Sequence, residues 1–165
     1  MKDGISKTLV STSPEWTQGL ATRLAPYLTP GDTLLLCGEI GAGKSHFARS
    51  LIQARLAAVG KTEDIPSPTY TLVQTYSDGD VDIWHADLYR LTDTNEVFEL
   101  GLQDAFQNSI CLVEWPERLG NLKPDNALTI HFEFGAAEHT RILTFHASRN
   151  WERKLQPAFQ DEARI

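Results

Sequence analysis

Thr33-Leu34-Leu35-Leu36-Cys37-Gly38-Glu39-Ile40-Gly41-Ala42-Gly43-Lys44-Ser45 is an apolar run that empties into a glycine-rich turn and ends on a lysine and a hydroxyl. From Gly38 onward it matches G-x-x-x-x-G-K-[ST] at every fixed position, and Phe47, Leu51, Ile52 and Leu56 follow at helical spacing. A buried strand, a glycine loop and a helix start in succession aim backbone N–H groups at one point, where the helix dipole also favours an anion. Side chains on the loop would block phosphates, which is why glycines are needed. Lys44 suits β- and γ-oxygens, and the Ser45 hydroxyl suits the magnesium that travels with them. The stretch predicts a nucleoside triphosphate site with contacts from Gly38, Glu39, Ile40, Gly41, Ala42, Gly43, Lys44, Ser45 and His46.

Working outward, a short strand over 8–11 precedes Ser13-Pro14-Glu15, where a capping hydroxyl and a first-turn proline start a helix running to about Tyr27. The helix after the loop should span 44–59 and close at Gly60. Extended segments at 71–76 and 81–90 flank Ser77-Asp78-Gly79-Asp80, whose Asp-Gly pair is a hairpin cue. Residues 96–106 read as helix broken by Gly101, and Ile110 to Val113 as a buried strand ending at Glu114-Trp115-Pro116. A second hairpin is expected from 128–134 and 141–147, then a closing helix over 151–159 shortened by Pro157. The pattern predicts an α/β fold: a P-loop NTPase-like three-layer sandwich whose mixed sheet contains antiparallel hairpins. At 165 residues the chain is expected to form one domain over 1–165.

Net charge is −7, and lysines and arginines form no run, which argues against stand-alone binding of RNA or DNA. Cys37 and Cys111 both lie in apolar runs and read as buried reduced thiols, suited to a reducing cytoplasm. No signal region or membrane-length apolar stretch is expected.

Phosphate loops need a carboxylate at a neighbouring strand end before they can hydrolyse or transfer. Glu114 follows its hydrophobic strand directly, and Asp87 lies in His85-Ala86-Asp87-Leu88-Tyr89-Arg90, where strand periodicity puts it on a face with His85 and Tyr89. Glu114 is assigned to the magnesium, directly or through water, and Asp87 to activating or positioning the water that attacks the γ-phosphate, with the reverse assignment as the alternative. His85 could pair with Asp87 in metal binding or proton transfer, but no cysteine or second histidine lies at ligand spacing, and it is read as structural support. Thr69, in Ser67-Pro68-Thr69-Tyr70, is either a sensor of the γ-phosphate or part of a proline-ordered turn. Trp115 is either a core aromatic or a wall of the nucleotide site.

Four blocks together resemble the bacterial TsaE (formerly YjeE) family: 38–45, Ser67 to Val73, His85 to Leu91, and Val113-Glu114-Trp115-Pro116-Glu117. The resemblance spans most of the chain, including the lead of some forty residues before the loop. It implies that Lys44 and Ser45 serve ATP and Mg2+, that Glu114 lies on the metal, and that Asp87 is needed for hydrolysis. It further implies a weak ATPase that acts with TsaB and TsaD in tRNA threonylcarbamoyladenosine biosynthesis, meeting tRNA only through that complex. Ser45 and His46 stand where the family usually has threonine and then threonine or serine, and Ser50 where glycine is common. The resemblance places the adenine toward Ser13 to Trp16. Alternatives are a small metabolite kinase with Asp87 as base, and a non-enzymatic nucleotide switch. Asn121-Leu122-Lys123-Pro124-Asp125 lacks the Asn-Lys-x-Asp spacing of guanine readers, which favours ATP.

Overall fold

The computed structural model describes residues 4–159. Its strands are β1 (Gly4–Ser11), β2 (Thr33–Gly38), β3 (Val73–Ser77), β4 (Asp82–Asp87), β5 (Ile110–Glu114), β6 (Leu128–Phe134) and β7 (Arg141–Ser148). They form one seven-stranded sheet in the order β1-β7-β6-β2-β5-β4-β3. The inner strands β6, β2, β5 and β4 run parallel, while β3 and the β7–β1 pair are antiparallel additions. The expected mixed sheet with two hairpins is therefore present. Residues 33–36 and all of β5 are buried, as continuous apolar runs at the centre of a parallel sheet require.

Helices α1 (Pro14–Leu24), α2 (Lys44–Ala57) and α5 (Glu152–Phe159) pack on one face, and α3 (Asn95–Leu100) and α4 (Leu102–Asn108) on the other. The second helical layer covers only the β2-β5-β4 half. On the remaining half the strands alternate, with Leu9, Ile130 and Phe145 buried against the first layer and Val10, His131 and His146 turned outward. Ser13 caps α1 by accepting the Trp16 N–H at 3.1 Å. Helix α2 has no such cap, since Gly43 precedes it. A cap is worth about 1 kcal/mol, whereas burying Phe47, Leu51, Ile52 and Leu56 contributes about 2 kcal/mol each, so packing outweighs the missing cap and leaves the loop free to keep glycine there.

Several boundaries move from the sequence expectation. β1 starts at Gly4 because it pairs with β7 over eight residues. β3 starts at Val73 rather than 71, since the Leu72 N–H turns back to the Pro68 carbonyl at 2.7 Å and Leu72 has a φ of 70°. β4 ends at Asp87 rather than 90, where the Asp87 carboxylate accepts the Tyr89 N–H at 3.0 Å and turns the chain. Pro157 does not shorten α5 but lies inside it, while Trp151 sits in the preceding turn. Cys37 is only half-buried, contrary to expectation, and Cys111 is buried; both are free thiols. Burial, and for Cys37 also Glu117, raises their pKa values to about 11 and about 12, so both stay protonated at neutral pH. Among the described residues no helix is long and apolar enough to cross a membrane.

The β3–β4 turn is tied to α2 by an ion pair. Arg55 donates to Asp78 Oδ2 at 2.8 Å and to the carbonyls of Ala25 and Leu28, while Asp78 Oδ1 accepts the N–H groups of Asp80 and Val81. Burial opposes ionisation of Asp78, but these donors outweigh it and hold the carboxyl below its ordinary 3.8. A depressed folded pKa adds stability that is complete above the ordinary value and is lost as pH falls through the folded one. Asp78→Asn is therefore expected to cost about 2 kcal/mol at pH 7, with the gap to wild type closing below pH ~4, measured by urea unfolding across pH.

Candidate functional site

Register brings the chemistry together. Leu36 of β2 and Asp87 of β4 both sit opposite Glu114 of β5, so the glycine loop and both carboxylates meet at one edge of the parallel strands. Ligands of open α/β sheets bind at that carboxyl edge. The loop holds its shape through left-handed glycines, with φ 149° at Gly38, 85° at Gly41 and 114° at Gly43. At Gly38 a Cβ would lie 2.6 Å from the Phe132 carbonyl oxygen, so only glycine fits between β2 and β6.

Lys44 is 5% exposed. Its Nζ donates to the Gly38 carbonyl and lies 3.7 Å over the Trp115 ring. Burial lowers its pKa, while Glu114, Asp87 and Glu117 pull it back up. Trp115 has a φ of 59°, a left-handed backbone that is strained for a bulky residue. That turn redirects the chain out of β5 and brings the indole to the lysine, with Tyr89 packed on it at 4.8 Å.

Ser45 Oγ donates to Glu114 Oε1 at 2.8 Å. Glu114 is 2% exposed, and its Oε2 lies 2.6 Å from His85 Nε2. His85, read from sequence as structural support, reaches across to the neighbouring strand and bonds Glu114 rather than Asp87. Asp87 Oδ2 accepts from Thr69 Oγ1 at 3.3 Å, which keeps Thr69 at the site within an ordered turn. Tyr89 lies beyond the end of β4 and so does not share its face.

A pocket of about 420 Å³ is lined by Ile40, Gly41, Gly43, Lys44, Ser45, His46, Thr69, Asp87, Tyr89, Glu114 and Trp115. Glu39 does not line it; with Gly38 it lines a larger cavity of about 590 Å³ along β6 and β7. Ala42 lines a smaller pocket of about 240 Å³ with Ser13, Pro14, Thr17, Phe132 and Arg141. The His46 ring nitrogen Nε2 lies 2.9 Å from the Pro14 carbonyl, which ties the start of α2 to that of α1. Sequence reading left Tyr89 unassigned and missed Phe132 and Arg141. Phe132 is opposite Gly38 through the parallel pairing of β2 with β6, for which no local signal exists, while the expected second hairpin already put Arg141 opposite Phe134 without showing that it reaches the loop.

The donor set suits a magnesium-bound triphosphate, because Ser45, Thr69, Asp87 and Glu114 offer hard oxygens beside an amine. Among the described residues no three His, Cys, Asp or Glu side chains converge as a metal-ligating group. Magnesium carried on nucleotide phosphates uses only one or two protein oxygens.

The model of the family "Threonylcarbamoyl adenosine biosynthesis protein TsaE" matches residues 11–143. The tRNA threonylcarbamoyladenosine biosynthesis protein TsaE of Rickettsia conorii is 36% identical over 153 residues, covering 90% of this chain and 85% of the relative. Its namesake in Bacillus subtilis is 35% identical over 141 residues, 85% of each chain. The crystal structure of Bacillus subtilis YdiB superposes with a TM-score of 0.73 at 29% identity, covering 92% of both chains. With the loop, both strand-end carboxylates and the sheet order in place, this chain belongs to the TsaE family.

Proposed function

We propose that the chain is a magnesium-dependent ATP hydrolase of the cytoplasm that serves tRNA threonylcarbamoyladenosine biosynthesis by acting on TsaB and TsaD. The observation that carries this reading is the convergence of Lys44, Ser45, Thr69, Asp87 and Glu114 on one pocket at the glycine loop. Ser45 and Glu114 would hold the magnesium ion, which when bound neutralises charge building on the β- and γ-phosphates. Lys44 swings from the Gly38 carbonyl to phosphate oxygens and orients the triphosphate. Asp87 accepts a hydrogen bond from the attacking water and aligns it on the γ-phosphorus; the bond to the β,γ-bridging oxygen breaks and ADP leaves. Thr69, bonded to Asp87, holds that carboxylate toward the water. The adenine is assigned to the smaller pocket between Pro14 and Arg141, which shares Gly41, Gly43 and His46 with the phosphate pocket.

The charge of −7 suits a protein that meets tRNA through other proteins. The test is phosphate release from ATP by the purified chain, with and without TsaB and TsaD of its own organism. Slow release alone, raised about tenfold or more by the two partners, is the expected result, a coupling of ordinary size. A rate indifferent to both overturns the partnered reading and directs attention to metabolite phosphorylation.

A further inference from the structure

We propose that His85 is a positioning residue: it locks the Glu114 carboxylate in the orientation that serves the metal, and so sets metal affinity without touching metal or nucleotide. The inference rests on the reading of Glu114 given above. Glu114 closes a strand and has three side-chain torsions, yet both its oxygens are engaged, Oε1 by Ser45 at 2.8 Å and Oε2 by His85 at 2.6 Å. The two contacts differ in kind. Ser45 is itself a metal-binding hydroxyl, and once its oxygen turns to a cation it no longer fixes the carboxylate. His85 stays, because it is 1% exposed and built into the middle of β4.

The chemistry of the pair fixes the direction of its hydrogen bond. A carboxylate only accepts, so Nε2 carries the hydrogen. Among the described residues Nδ1 is buried and has no hydrogen-bond partner, so the Glu114 contact is the one polar bond seen for the ring. His85 lies two residues before Asp87 on the same strand, so β4 presents the water-positioning carboxylate directly and the metal carboxylate through its histidine. Outer-shell partners of this sort orient metal ligands throughout metalloproteins.

The test is Mn2+ binding to the full chain, followed by electron paramagnetic resonance with a saturating non-hydrolysable ATP analogue, for wild type, His85→Leu, His85→Gln, His85→Asn and Glu114→Gln. A glutamine amide reaches about where Nε2 stands, while an asparagine amide reaches only the Nδ1 position. His85→Leu and His85→Asn are expected to weaken Mn2+ binding by about 10- to 100-fold, and His85→Gln to stay within a few-fold of wild type. Nucleotide affinity measured in EDTA should be the same in all. If His85→Leu fails to fold, the Gln–Asn comparison decides alone, and equal Mn2+ affinity in those two overturns the proposal. It is also overturned if His85→Leu binds Mn2+ as wild type does while Glu114→Gln is weakened, or if metal-free nucleotide affinity falls by the same factor as Mn2+ affinity. If Glu114→Gln binds Mn2+ like wild type, the reading of Glu114 itself fails, and this inference with it.

Discussion

Lys44→Ala is expected to bring ATP hydrolysis to background, a loss of at least about 10³-fold, the scale for removing a charged group aimed at developing negative charge. The substitution removes the one lysine among the residues lining the phosphate pocket. It also takes away the cation lying 3.7 Å over Trp115 and the donor to the Gly38 carbonyl, so some loss of packing accompanies the loss of charge. Lys44→Met separates the two effects, because it keeps a long apolar stem across the indole and lacks the ammonium. Phosphate release, tryptophan emission and thermal unfolding should be measured together. If Lys44→Met unfolds like wild type yet is as inactive as Lys44→Ala, the charge is what matters. Retention of more than about a tenth of the wild-type rate in Lys44→Met would place phosphate neutralisation elsewhere.

Asp87→Asn should slow hydrolysis by about 10²- to 10³-fold while nucleotide and Mn2+ affinities stay close to wild type, as expected for a group that acts on the attacking water. Asparagine keeps the shape of the side chain and one carbonyl oxygen, so its Oδ1 can still accept the Tyr89 N–H, while the Thr69 hydroxyl, which donates to Oδ2 in the wild type, turns to accept from the amide Nδ2–H. What disappears is the negative charge and the Oδ2 acceptor. Single-turnover hydrolysis isolates this chemical step from binding. Loss of Mn2+ affinity in Asp87→Asn with little change in the single-turnover rate would exchange the roles of Asp87 and Glu114. The expected pattern also distinguishes an ATPase from a nucleotide switch, since a switch should keep supporting threonylcarbamoyladenosine formation when Asp87→Asn still binds ATP.

The strand, the glycine loop and the helix that follows were legible because their determinants are local. A central parallel strand needs an unbroken apolar run, a phosphate loop needs glycine at left-handed positions, and the helix shows its buried face at regular spacing. Both hairpins and the mixed sheet were legible for the same reason. Strand ends were less so, because Leu72 and Asp87 stop their strands by hydrogen bonds that turn the backbone, and such bonds carry no periodic signal.

At the site, residue types were readable and partnerships were not. His85 was readable as a supporting residue, but its partner was not: it bonds Glu114, 29 residues away, because β4 and β5 pair in parallel and put that carboxylate on the adjacent strand. Glu39 belongs to the loop motif, but it lines the cavity along β6 and β7 rather than the pocket that holds Lys44 and Ser45. The sequence alone determined which chemical groups are available and that a glycine loop would gather backbone N–H groups at a helix start, since these follow from propensity within a few residues. Only the tertiary structure decided that Ser45, Glu114 and His85 form one chain of contacts, that Lys44 lies against Trp115, and that Phe132 closes on Gly38. Those contacts depend on which strands pair and in what register, and that is set by burial summed over the whole sheet.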